Sequence, residues 1–202
     1  TAYNRAHRYD EAIRILEGHD FVPCEGGETA LAKAYIAAWY GKGRDLRAAG
    51  KDAEALDAFR RAEVLPESLG AGLWHMATIV PAQYEEALLL EKAGDRDAAF
   101  KIYDYFNTLY VDFFSNMNLP LLPVYQALGD IRMGKADAAK ALLEKAIAGW
   151  KFERERHDSG YFGTTPFFIS YMDDPHTARV KNYDALIATA ESVLDGTSDL
   201  LK

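Results

Sequence analysis

The chain has 202 residues, enough for a single helical domain that buries roughly 70% of its unfolded surface. Twelve tyrosines, ten phenylalanines and three tryptophans argue against disorder. With 31 acidic against 23 basic residues the net charge is −8, which disfavours nonspecific binding to nucleic acid.

Other classes are excluded by what each would require. A membrane span needs a run of about 18 apolar residues, and no run approaches that length. The single cysteine, Cys24, makes no intrachain disulfide and anchors no thiolate zinc site alone. The sequence opens at Thr1 without a methionine, signal-like segment or transit composition. It runs straight into Tyr9-Asp10-Glu11-Ala12-Ile13 and reads as a piece of a longer protein.

In chain order, apolar periodicity predicts helices over 3–18, 29–49, 52–65, 75–93, 96–113, 121–133, 136–155 and 176–195. The repeat unit is clearest from Trp39 to Pro66, through Gly43, Leu46, Gly50, Ala55, Phe59 and Ala62. Small side chains at Gly43 and Ala55 allow two antiparallel helices to approach closely. Gly50 takes the positive φ that ends the first helix. Phe59 and Ala62 set one bulky and one small group on the inward stripe of the second, and Pro66 stops it.

Weaker copies of the turn lie at His7-Arg8-Tyr9-Asp10-Glu11-Ala12, at Gly94 to Ala99 before Tyr103, and at Gly134 to Ala139 before Leu143. The aligned alanines are Ala12, Ala55, Ala99 and Ala139, at steps of 43, 44 and 40 residues. A plain tetratricopeptide step is about 34, so the excess belongs to the connections between hairpins. The last helix, after Asp174-Pro175, has no helical successor and is expected to cover the open end of the stack. The expected fold is therefore all-α: a tetratricopeptide-like right-handed superhelix of antiparallel hairpins with a C-terminal capping helix, one domain over residues 1–202.

The chain resembles tetratricopeptide-repeat proteins through Trp39 to Pro66. Its loops Phe21 to Glu28, Leu65 to Gly72 and Tyr161 to Pro166, with Asp173-Asp174-Pro175, are similar to a narrower group. That group is the C-terminal helical region of large bacterial proteins carrying an N-terminal mutarotase-like β-sandwich of unknown function. Cys24 stands where that family usually has tryptophan before Glu-Gly-Gly. The resemblance implies a helical module attached to a carbohydrate-related domain and no activity for the helices; the expected location is the bacterial cytoplasm.

The residues themselves point to recognition rather than chemistry. His7, His19, His75, His157 and His176 form no two-histidine helical pair at metal-ligand spacing. Glu25 and Glu28 oppose thiolate formation at Cys24. The pairs Glu85-Glu86 and Glu153/Glu155 read as solvated faces. No catalytic residue, metal or cofactor is expected.

Placing the repeat frame on Trp39 puts Tyr40, Arg44 and Arg47 on the concave wall, then Tyr84, Leu88 and Glu91, then Arg132. Glu25 and Glu28 are candidates in the first connecting loop. Tyrosine and arginine suit recognition because they join contact area to directed hydrogen bonds. The expected partners are a protein segment, the protein's own N-terminal domain or a second copy of the chain. The alternatives are an accessory domain completing the sugar site of a carbohydrate-active enzyme, or a repeat domain of a regulator.

Overall fold

The computed structural model describes residues 2–22, 28–70, 76–109, 119–158 and 175–201, and over these the chain is helical without strands. The helices are α1 (Ala2–Arg5), α2 (Tyr9–Glu17), α3 (Glu28–Ala48), α4 (Asp52–Ala62), α5 (Val80–Lys92), α6 (Arg96–Phe106), α7 (Leu122–Arg132), α8 (Ala136–Asp158) and α9 (Pro175–Leu194). The chain divides into two compact units, residues 1–119 and 120–202.

One turn recurs. His7, Gly50, Gly94, Gly134 and Gly196 all have left-handed backbone, with φ of 55°, 74°, 89°, 79° and 78°. At each, the N–H of the next residue donates to the carbonyl five residues back: Arg8 to Tyr3, Lys51 to Leu46, Asp95 to Leu90, Lys135 to Asp130, Thr197 to Ser192. The left-handed residue itself donates to the carbonyl three back. These paired bonds satisfy the carbonyls that a helix end leaves unpaired. Five residues after each of the first four lies a buried alanine: Ala12, Ala55, Ala99 and Ala139. Turn and small residue together bring the second helix back against the first.

The first turn corrects the single helix expected over 3–18. His7 takes a left-handed φ, so the chain breaks into α1 and α2. The helix expected from residue 75 begins at Val80, after a 3₁₀ turn over Met76–Ile79, with Pro81 in its first turn. Proline is tolerated there because the N–H it lacks has no helical acceptor. Helix α4 ends at Ala62 with Glu63 as its C-cap, before Pro66 is reached. The helix expected over 96–113 opens on Asp95, whose carboxylate accepts from the Ala98 N–H at 3.1 Å, and ends at Phe106.

In the first unit α2 packs on α3, α3 on α4, α4 on α5 and α5 on α6. Phe59 is wholly buried against Gly43, where a Cβ would fall 2.5 Å from Phe59 Cε1. Gly41 meets the Tyr9 ring in the same way and joins α2 to α3. Salt bridges then tie neighbouring helices: Lys42 to Asp10 at 2.6 Å, Arg60 to Glu86 at 2.8 Å and Lys92 to Asp52 at 2.5 Å.

In the second unit α8 packs between α7 and α9, and α9 also touches α7. The stripe Ala139, Leu143, Ile147 and Trp150 is the buried face of α8, and Ile187, Ala190 and Val193 are that of α9. Lys151 meets Glu191 at 2.9 Å and Arg154 meets Asp184 at 2.5 Å along the α8–α9 contact. No described helix is long and apolar enough to cross a membrane.

Candidate interaction site

Tyr40, Arg44 and Arg47 stand on α3 at spacings of four and three residues, which places them on one helical face. Helix α5 supplies the group they meet. Arg47 Nη1 pairs with Glu85 Oε2, and Arg44 Nε lies 4.0 Å from Glu85 Oε1. The Arg44 guanidinium also lies 5.9 Å from the Tyr40 ring centroid, and that ring packs on Phe59 at 6.1 Å.

Exposure separates the roles. The Glu85 side chain is 11% exposed and that of Arg44 is 63% exposed. A carboxylate so withdrawn from water needs the charge of Arg47 against it. Arg44 lies beside Glu85 and Tyr40 without a hydrogen bond to the carboxylate. A guanidinium carries five N–H donors, and most of the Arg44 side chain faces solvent.

The remaining expected site residues fall elsewhere. Tyr84 is 1% exposed, with its ring 6.0 Å from that of Tyr103, so it is a core side chain of the α5–α6 hairpin. Leu88 is buried too, and Glu91 is half-buried. Arg132 belongs to the second unit, where its Nη2 donates to the Leu201 carbonyl at 2.7 Å. Glu28 is the first residue of α3. Glu25, like Cys24, lies outside the described residues.

Glu85 and Glu86 overturn the expectation of a solvated pair, because both are buried. Their helix is covered on nearly every side: Val80, Ala82, Tyr84, Ala87, Leu88, Leu89 and Leu90 are buried as well. The available signal was Ala87-Leu88-Leu89-Leu90 directly after the glutamates, a run that leaves α5 no continuous polar face.

A second charged group lies between α4 and α5. Arg60 Nε donates to Glu86 Oε1 at 2.8 Å, and Gln83 Nε2 donates to Glu63 Oε2 at 2.9 Å. The Glu63 carboxyl is pushed up to about 7, first by burial and then by hydrogen-bond contact with Glu86. Tyr105 on α6 is raised by burial and by the nearby Glu63 charge. Among the described residues no group of three or more His, Cys, Asp or Glu side chains is arranged to hold a metal ion.

No family model matches the chain, and no curated protein or solved structure matches it.

Proposed function

We propose that the chain is a tetratricopeptide-like interaction scaffold that holds an acidic protein segment rather than converting a substrate. The observation that carries this reading is Arg44. It is largely exposed, beside Tyr40, and lies near a buried carboxylate that Arg47 already neutralises. An exposed guanidinium with an aromatic neighbour is a common anchor in recognition surfaces.

The repeated hairpin turn supports the wider reading. Repeats of one helix–turn–helix unit build extended surfaces whose first helices carry the contacts, and in a right-handed superhelix α3 would line the inner wall. The attachment to an upstream domain rests on the resemblance in the loops, and the proposed setting is the bacterial cytoplasm. The segment bound then belongs to that upstream domain, to another protein or to a second copy.

Selection of the purified chain against a displayed peptide library tests the proposal. Enriched peptides should be rich in Asp and Glu and should bind more weakly as salt rises. Arg44→Glu should weaken the best of them by at least about tenfold, which corresponds to about 1.4 kcal/mol. Equal binding by Arg44→Glu, or no acidic preference among the selected peptides, would remove the reading.

A further inference from the structure

The joint between α4 and α5 brings two carboxyl groups together in a partly dry place. Glu63 caps the C-terminal end of α4, where the helix carbonyls disfavour negative charge. The Glu86 side chain on α5 is only 10% exposed. Arg60 and Glu63 stand one turn apart at the end of α4 and bond Glu86 and Gln83, which stand one turn apart on α5, so the two carboxyls adjoin. Two ionised carboxylates offer only acceptors, so such a contact is repulsive unless one of them holds a proton.

The surroundings decide which one. Arg60 Nε donates to Glu86 Oε1 and favours the ionised form there. Gln83 Nε2 donates to Glu63 Oε2, but Glu63 Oε1 is buried and meets no donor among the described residues. A proton on Glu63 Oε1, donated to Glu86, satisfies both groups.

We propose that this joint is a proton latch: the proton held between Glu63 and Glu86 fastens the end of α4 to α5, and its loss on alkalinisation loosens the two helices there. The groups facing Glu63 are Arg60 from its own helix, Glu86 and Gln83 from α5, and Tyr105 from α6. Helix α3 meets α4 elsewhere: Tyr40 and Gly43 lie against Phe59, and Trp39 lies under Arg61, which is paired with Asp57.

With Glu63 pushed up to about 7 from an ordinary 4.5, the sign follows from proton linkage. Between those values the folded chain holds a proton that the unfolded chain has released. The latch therefore stabilises fully below the lower value and is lost as pH rises through the upper one.

Carbon-13 NMR of the glutamate carboxyls, followed from about pH 5 to about pH 8.5, tests this directly. The Glu63 resonance should titrate near the upper value and be missing in Glu63→Gln. Over the same range the wild-type Tm should fall by about 5 °C. Glu63→Gln, whose amide donates to Glu86 at every pH, should change by less than about 1 °C. A Glu63 midpoint in the ordinary carboxylate range, or equal Tm slopes in the two proteins, would overturn the latch. If Glu63→Gln does not fold, the wild-type carboxyl titration alone decides.

Discussion

His7 occupies in the first turn the position that Gly50 holds in the second. Both backbones are left-handed, and both are followed by an N–H that donates to the carbonyl five residues back. A glycine carries no Cβ and takes this conformation without steric cost, whereas a histidine takes it only under constraint. The constraint at His7 comes from the same geometry that glycine satisfies elsewhere. The residue also accepts a local partner, since its Nδ1 lies 3.0 Å from the Tyr9 hydroxyl.

Replacing His7 by glycine relieves the strained backbone and loses one exposed hydrogen bond. The expected balance is a gain of about 0.5 kcal/mol in unfolding free energy. Urea denaturation of His7→Gly checks it, and a loss larger than about 1 kcal/mol would show that the Tyr9 contact matters more than the turn.

Gly43 and Gly50 are expected to respond differently to alanine. At Gly43 the new methyl would meet the Phe59 ring at 2.5 Å, and overpacking of this kind costs about 1–3 kcal/mol. At Gly50 the space is open but φ is 74°, so the cost is backbone strain of about 1 kcal/mol. Phe59→Leu should recover part of the Gly43→Ala loss and none of the Gly50→Ala loss. Chemical unfolding of the three single variants and the two double mutants separates a close approach from a conformational requirement.

The hairpins were legible because their requirements are local. Gly50, Gly94 and Gly134 each precede a buried alanine at the same spacing, and the apolar stripe of each second helix has an unambiguous period. The turn at His7 was legible as a weak copy, but histidine signals left-handed backbone far less strongly than glycine, so the helix break there was missed. Burial of polar groups was legible only indirectly, through the apolar run Leu88-Leu89-Leu90. Glu85 and Glu86 look like any solvated pair until Arg47 and Arg60 arrive from the preceding hairpin, 38 and 26 residues away in sequence.

The candidate site divides in the same way. Tyr40, Arg44 and Arg47 share a face that helical spacing alone defines, and the structure sets both arginines by Glu85 with Tyr40 beside Arg44. Tyr84 follows the same repeat frame, but burial of α5 on nearly every side turns it into core. Arg132 is drawn instead to the Leu201 carbonyl, a contact across 69 residues that no periodicity announces.

Arg47 and Glu85 join the second hairpin to the third, and their pair lies beside Arg44. A double-mutant cycle of Arg47→Ala and Glu85→Ala, read by urea unfolding of the purified chain, measures that pairing most directly. A coupling of about 1–2 kcal/mol is expected for a partly buried pair, with each single variant losing about 2 kcal/mol. A coupling below about 0.3 kcal/mol would mean that the two residues act independently, contradicting both the joint and the site built on it.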